Sequence, residues 1–133
     1  MENKGAFRVL LEYLGVYDES HYEKMNTIGY DRFIFPEGEF YFSQGHEQNI
    51  IELSKMFPSE IDNIIKFMTL SKKVAGLFPT YNYDTQFNPS EILKWMSVPL
   101  KTIVEEHTNN PTLQSIFYAY CSLHGVQPED TPF

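Results

Sequence analysis

The chain has 133 residues, 42% of them hydrophobic and 21% charged, a balance typical of one folded domain and not of a disordered segment. Eighteen acidic residues against ten basic ones give a net charge of −8, which argues against a nucleic-acid partner because such binding depends on lysine and arginine. Cys121 is the single cysteine, so an internal disulfide and a cysteine-based metal site are excluded. With neither a signal-peptide pattern nor a membrane-length apolar run, we expect a cytoplasmic protein.

The first predicted element is a helix over about residues 5–14, which carries leucine and phenylalanine at helical spacing. Gly15 follows at the position where a left-handed C-cap belongs. Residues 17–28 are polar and show no period, which predicts a loop or a weak strand.

Two aromatic runs then surround a Pro-x-Gly turn, and they predict a β-hairpin with strands at about residues 30–35 and 39–43. Within each strand the phenylalanines share one face, while Ile34 and Tyr41 fall on the other. Neither face is plainly polar, so we expect helices or a larger sheet to cover the hairpin.

Helical patterns fill most of the sequence after the hairpin. One helix is predicted over residues 44–57, ended by Pro58, and a longer one to about Ala75, opened by a capping box at Ser59. The longer helix has apolar residues on two sides, which predicts a central position in the domain.

A break at residues 79–91 predicts a long ordered loop. Beyond it, three short helices are expected: one capped by Ser90 and ending at Met96, one opened by Ser97 and Pro99 and ending near His107, and one opened by Asn110 and Pro111 and ending at Leu123. The sequence therefore predicts a single α+β domain, mostly helical with one hairpin, without repeats or linkers.

No motif marks a self-contained active site. The sequence lacks the Gly-x-Gly-x-x-Gly pattern and the P-loop, so neither a dinucleotide nor a nucleoside triphosphate has a recognisable site. The histidines are too far apart for a helix-borne zinc motif, and we expect no metal.

The aromatic content, 11 Phe, 9 Tyr and 1 Trp, has two interpretations. The rings fill the core of a small domain, or some of them line an elongated apolar pocket that binds a hydrophobic small molecule. The candidate pocket residues are Phe67, Phe78, Trp95, Met96, Phe117 and Tyr120.

Lys66, Lys72 and Lys73 stand beside bulky apolar residues, a combination that seats some helices in a membrane interface. A core helix with a solvated lysine edge explains the same pattern. A weak contact with a membrane surface is therefore a secondary hypothesis, and the charge of −8 does not favour it against anionic lipid.

Four stretches, taken in order, resemble the middle of the FAD-dependent phytoene desaturase, carotenoid isomerase and retinol saturase family. They are GAFRVLLEYLGV at residues 5–16, YDRFIFPEGEFYFSQG at 30–45, ELSKMFPSE at 52–60 and NNPTLQSIFYAYCSLHGVQPEDTPF at 109–133. The family's recurring features are a Pro-x-Gly hairpin, a Phe-Pro-x-Glu helix junction and a closing tract with spaced glycine and prolines.

The resemblance implies that this chain is the substrate-binding or cap domain of a larger flavoenzyme. Family members carry a glycine-rich segment that binds FAD, and that segment is not in this sequence. The expected partners are then the missing flavin-binding domain of the same polypeptide and an isoprenoid, polyene or lipid-like substrate. The flavin would perform hydride chemistry, and this chain would not be catalytic in isolation. No catalytic residue transfers from the family to a position here.

Two alternatives stay open from the sequence. A freestanding acidic module could recognise a protein partner through an aromatic groove, or a small carrier could bind a lipid without any cofactor. A natural reading frame of about this length would favour either of them over the flavoenzyme fragment.

Overall fold

A computed structural model describes residues 6–36, 38–79 and 88–133. It confirms an α+β fold that is mostly helical with one antiparallel hairpin. In chain order the described elements are α1 (Ala6–Tyr13), β1 (Asp31–Phe35), β2 (Gly38–Phe42), α2 (His46–Met56), α3 (Ile61–Ala75), α4 (Pro89–Met96), α5 (Leu100–His107) and α6 (Pro111–Phe117). Most of the loop predicted at residues 79–91 lies outside the described residues, and its last part belongs to the start of α4.

Helix α1 ends as its sequence predicts. Gly15 has a φ of 69°, and the Val16 amide donates to the Leu11 carbonyl at 3.0 Å, which closes the helix in a left-handed cap. The apolar side of the helix stays open to solvent, with Phe7 65% exposed and Leu10 and Leu14 also exposed. Residues 17–28 form no strand; a short 3-10 turn, Glu19–His21, interrupts them.

The hairpin is covered on one face only, within the described part of the chain. Phe33 pairs with Phe40 across the strands, and Phe40 is 1% exposed beneath the helices. On the opposite face Ile34 is 69% exposed, beside an ion pair between Arg32 and Glu39. The predicted cover is therefore present for the phenylalanine face and absent, among these residues, for the other.

Helix α3 connects two hydrophobic clusters, which confirms its predicted central position. The first cluster consists of Phe40, Leu53, Ile64, Leu113 and Ile116, so the hairpin, α2, α3 and α6 all contribute to it. The second consists of Phe67, Ile103 and Val104, from α3 and α5. Of the two apolar sides predicted for α3, the one that carries Ile61 and Ile65 is only partly buried, because both residues remain exposed.

Two predicted helix starts are wrong in detail. Pro58 begins a 3-10 turn, Pro58–Glu60, that takes up Ser59, so α3 starts at Ile61 without a side-chain cap. At α4 the cap is Asn88 and not Ser90: the Asn88 side chain accepts from the Ser90 amide at 3.1 Å. In both cases a proline takes the first position of the turn or helix, and the helical backbone begins there, before the position expected from the serine.

Helix α6 begins as predicted, with Asn110 accepting from the Thr112 and Leu113 amides at 3.1 and 3.0 Å. It ends at Phe117, six residues before the predicted end at Leu123. Beyond Phe117 backbone amides donate to the carbonyl three residues earlier, as the Cys121 amide does to the Tyr118 carbonyl. A 3-10 turn follows at Cys121–His124.

Asn49 fixes the path from β2 into α2, a role that the sequence does not reveal. Its side chain is buried, accepts from the Ser43 amide at 2.8 Å and donates to the Ser43 and Gly45 carbonyls at 2.9 and 3.1 Å. The Ser43 hydroxyl in turn donates to the Ile28 carbonyl at 2.6 Å. The residues before β1 and after β2 are thereby tied to the first turns of α2.

Replacing this amide should be costly. We expect Asn49→Ala to lower the free energy of unfolding by about 1–3 kcal/mol, because the buried backbone groups of Ser43 and Gly45 lose their partner. Urea titration followed by circular dichroism measures the change. Gln48→Ala, at an exposed position of the same helix, is the matched control and should alter stability by less than about 0.5 kcal/mol.

Candidate functional site

Three of the predicted pocket residues meet in one aromatic cluster, to which the structure adds Phe133. We use "the aromatic cluster" for Phe67, Trp95, Phe117 and Phe133. The Phe67 and Phe117 rings are stacked with centroids 3.9 Å apart. The Phe133 ring lies 6.0 Å from that of Phe67 and 5.6 Å from that of Trp95. Phe67, Trp95 and Phe117 therefore lie together in the fold, and their role in lining a substrate pocket stays a prediction.

The last residues of the chain hold Phe133 in this cluster. Its amide donates to the Val98 carbonyl at 2.9 Å, and the Leu100 amide donates to the Thr131 carbonyl at 2.8 Å. Pro99 and Pro132 form an isolated antiparallel bridge between these bonds. The segment thus runs beside the connection from α4 to α5 and delivers its terminal ring between α3 and α4.

The aromatic cluster is packed and not hollow. The Phe67 side chain is only 5% exposed, and its ring packs directly against that of Phe117. Sequence reasoning missed Phe133 because its neighbours are distant in the chain; the one available signal was a large apolar residue after Pro132. A ligand in this region would have to displace the Phe133 ring or lie against the outside of the cluster.

The other predicted pocket residues lie elsewhere. Met96 is exposed and lines a small cavity of about 150 Å³ together with the chain's last segment. Phe78 is half-buried just beyond the end of α3. Tyr120 packs on the hairpin instead, with its ring 5.9 Å from Phe33 and 5.1 Å from Phe42.

Tyr120 joins the chain's last third to β1 through a hydrogen bond. Its hydroxyl donates to a carboxylate oxygen of Asp31 at 2.8 Å. Burial is the main cause that raises the pKa of Tyr120, and the hydrogen bonds to Tyr30 and Asp31 act in the same direction. The phenol therefore remains protonated, and its role in the described structure is to anchor the hairpin.

His46 is a partly buried titratable group. Its Nε2 atom is buried without a hydrogen-bond partner in the described part of the chain. Burial lowers the pKa of His46, Lys72 lowers it further, and the backbone of Met68 and the Glu47 carboxylate act in the opposite direction. The imidazole also stands at the first residue of α2, where the helix dipole disfavours a positive charge.

The lysines of α3 are solvated, and of the two apolar residues beside Lys66, Ile65 is exposed and Phe67 is buried. Lys66, Lys72 and Lys73 are all exposed, while Phe67 between them is buried in the second cluster. A weak membrane contact through these lysines stays a prediction. No helix among the described residues has both the length and the apolarity needed to cross a bilayer.

The supersecondary structure of the described residues differs from that of a dinucleotide-binding domain. The two strands pair antiparallel, whereas a dinucleotide site needs a parallel strand–turn–helix unit. The one direct strand-to-helix connection, from β2 to α2, has a single glycine, Gly45, and Glu47 in the first turn of the helix would repel a phosphate. Among the described residues, no three metal-ligating side chains lie close enough together to hold one ion.

Comparison of the chain with protein-family models, curated proteins and solved structures found no match. The flavoenzyme resemblance therefore remains a proposal that depends on the sequence motifs.

The position of Phe133 leads to a spectroscopic prediction, because Trp95 is the chain's single tryptophan. We expect Phe133→Ala to shift the tryptophan emission to longer wavelength, since water reaches the indole, and to lower stability by about 1–2 kcal/mol through lost apolar burial. Leu123→Ala, at an exposed position of the same region, is the control and should leave both measurements unchanged. An unshifted emission in Phe133→Ala would contradict the packing of Phe133 on Trp95.

The setting of His46 predicts a pH dependence of stability. Because the folded-state pKa lies below the ordinary value of 6.5, the unfolded chain binds the proton more tightly. The stability is fully present above that value and is lost as pH falls through it toward the folded-state pKa. We expect the free energy of unfolding of His46→Gln, measured by urea titration, to fall less than that of the parent protein as pH decreases from about 7.5 to 5.5. His21→Gln, at an exposed histidine, should keep the wild-type slope.

Proposed function

We propose that this chain is the substrate-binding or cap part of an FAD-dependent oxidoreductase that acts on an isoprenoid, polyene or other lipid-like molecule. The chain itself is not catalytic, and the flavin is bound by polypeptide outside this sequence. The observation that carries the proposal is the ordered set of four family-like stretches in the sequence. The structure adds support through the positions that those stretches occupy.

The motif residues stand where the backbone changes direction. Gly38 begins β2 with a φ of 150°, and Phe57 and Pro58 connect α2 to the 3-10 turn before α3. Asn110 caps α6, and Gly125 ends the last 3-10 turn with a φ of 66°. These residues hold turns and helix ends, so the four stretches share with the family residue types that backbone geometry favours.

Exposed apolar surface gives a second line of support. The outward side of α1 and the outer face of the hairpin present large apolar side chains to solvent, among them Phe7 and Ile34 at 65% and 69% exposure. Extended exposed apolar patches mark contacts with other protein. A flavin-binding domain in the same polypeptide would cover such surfaces.

In this proposal the residues of the chain bind and orient the substrate and exclude water from it. FAD, when bound by the rest of the enzyme, supplies hydride transfer. The aromatic cluster provides an apolar wall that needs few polar partners, which suits a polyene. The roles of Phe78, Met96 and Tyr120 in a pocket stay predictions.

The test is to read the encoding locus and to produce the protein both as this chain and in its longest natural form. We expect the longer form to contain a Gly-x-Gly-x-x-Gly segment and to be purified with visible flavin absorbance. The isolated chain should remain colourless after refolding with FAD, because it lacks the phosphate-binding turn. A stoichiometric flavin complex with the isolated chain, or a natural reading frame that ends at this length, would overturn the proposal.

Substrate class can be tested in the longer form by the quenching of tryptophan emission. A retinoid that absorbs near the tryptophan emission should quench Trp95 saturably if it lies against the aromatic cluster. A longer natural form contains other tryptophans unless they are replaced, so the Trp95→Phe variant supplies the background signal. Equal quenching of the parent protein and Trp95→Phe would remove the cluster from the substrate path.

A further inference from the structure

Residues 128–133 lie across the start of α5, and we use "the strap" for this segment. The Pro128 and Thr131 carbonyls accept hydrogen bonds from the amides of the first two residues of α5, at 3.1 and 2.8 Å. Pro99, the residue before the helix, provides no side-chain cap. The strap therefore satisfies amides that a capping side chain satisfies at other helix starts.

The strap is held on the surface of the fold. Three of its six residues are exposed and the other three are half-buried. Besides its backbone hydrogen bonds, it is held by the Phe133 ring and by a contact of the Thr131 hydroxyl with the Cys121 sulfur at 3.6 Å. Segments with few buried contacts open at a lower free energy than the core does. We therefore expect the strap to detach while the two hydrophobic clusters stay folded.

The Phe133 ring faces two residues of the predicted pocket. Its centroid lies 5.6 Å from that of Trp95 and 6.0 Å from that of Phe67. Phe67 also stacks on Phe117 and belongs to the second hydrophobic cluster, so its position does not depend on Phe133 alone. Detachment of the strap would thus leave an apolar site of the size of one ring, with aromatic walls.

A cavity of about 150 Å³ lies between the strap and the end of α4. Met96 and the connection to α5 line one side, and the strap lines the other. Pro132 borders this cavity and Phe133 is the next residue, so detachment would join the cavity to the site of the Phe133 ring. Trp95 and Met96, both predicted pocket residues, would then border one continuous opening.

A larger cavity, of about 440 Å³, lies between β2 and α2. Its two carboxylates already have partners, since Arg32 donates to Glu39 and Lys55 donates to Glu52. None of the six predicted pocket residues lines it. The cavity beside the strap is therefore the one that concerns an apolar substrate.

We propose that the strap is a gate: an apolar molecule enters the aromatic cluster by displacing the Phe133 ring, and the strap closes the site when that molecule leaves. The gate is argued from the contacts of the strap, and the class of ligand, an isoprenoid or polyene, rests on the proposed function. A ligand that ends in an apolar ring fits best, because a ring is what the closed site already holds. The rest of the ligand would continue past Met96.

In this arrangement Phe133 competes with the ligand for one site. The apparent affinity is the intrinsic affinity reduced by the fraction of molecules whose strap is open. A change that weakens the closed state therefore raises the apparent affinity, and a lock on the closed state lowers it. A residue that only builds the pocket wall would have the opposite effect, because its removal would damage the site.

The contact between Thr131 and Cys121 allows the strap to be locked reversibly. Thr131→Cys places a second thiol where the hydroxyl lies 3.6 Å from the Cys121 sulfur, close enough for a disulfide. All-trans-retinol is the probe, and the saturable quenching of Trp95, the single tryptophan of this 133-residue chain, measures its binding. We expect oxidation to weaken binding by at least about 10-fold and dithiothreitol to restore it. The double variant Cys121→Ser with Thr131→Cys has one thiol and is the matched control, which should not respond to the oxidant.

Phe133→Ala tests the competition from the other side. It should bind retinol at least about 3-fold more tightly than the parent chain, although its stability is lower, because no ring has to leave the site. Leu123→Ala, at an exposed position of the same region, should bind as the parent does. If circular dichroism shows that Phe133→Ala does not fold, Phe133→Leu replaces it and should show a smaller gain. Weaker binding by the folded variant would make Phe133 part of the pocket wall and overturn the gate.

Hydrogen exchange measures the opening without any ligand. The Leu100 and Lys101 amides, which bond to the strap, should have protection factors at least about 100-fold below that of Val104 in the same helix. The Leu113 amide, in the first turn of α6 and capped by Asn110, is the control for ordinary fraying and should be better protected than Leu100. Equal protection of Leu100 and Val104 would show that the strap does not open separately, which would overturn the inference.

The gate and the proposed function fail separately. The disulfide lock decides the gate, and the flavin absorbance of the longer natural form decides the function. Retinol binding that the lock does not weaken, or no binding by the reduced chain, would overturn the gate and leave the function to the flavin measurement. Binding that the lock abolishes, without flavin in the longer form, would keep the gate in a lipid carrier and overturn the flavoenzyme.

Discussion

The burial of α3 between two hydrophobic clusters is the interaction on which the rest of the structure depends. Ile64 is fully buried against Phe40 of the hairpin and Leu113 of α6, and Phe67, less than one turn later, packs on Ile103 and Val104 of α5. Because one helix supplies both contacts, the hairpin and the C-terminal helices hold fixed positions relative to each other. Hydrophobic burial of this extent is the main source of stability in a domain of this size.

Local signals in the sequence predicted the elements well, and non-local contacts account for what they missed. The hairpin, the end of α3, the Gly15 cap and the Asn110 cap were all predictable, because periodicity, turn residues and capping side chains act within a few residues. The starts of α3 and α4 were misplaced: a 3-10 turn takes up the serine expected to cap α3, and the cap of α4 is Asn88, two residues before Ser90. Asn49 could not be recognised as an anchor because its partners are defined only after β2 turns into α2.

The aromatic cluster could be anticipated from the sequence in part, for the same reason. Helical spacing brought Phe67, Trp95 and Phe117 together, since all are apolar residues on faces that must be buried. Hydrophobicity alone does not distinguish a pocket wall from a packed core. In the structure the Phe133 ring packs against Phe67 and Trp95, so these residues form a packed cluster. The cavity of about 440 Å³ between β2 and α2 could not be predicted from the sequence, because its walls come from segments that only the fold brings together.

The span of the Tyr120–Asp31 hydrogen bond affects how the chain can acquire its structure. The two residues are 89 positions apart in the sequence. Phe40 likewise packs against Leu113 and Ile116, which lie far from it along the chain. Closing a loop of that length costs conformational entropy before any contact repays it. During synthesis the hairpin leaves the ribosome before the helices that cover its phenylalanine face, and the contacts with α6 and Tyr120 can form only after those residues have emerged. Until that moment the nascent aromatic strands are a target for chaperones that recognise exposed apolar segments.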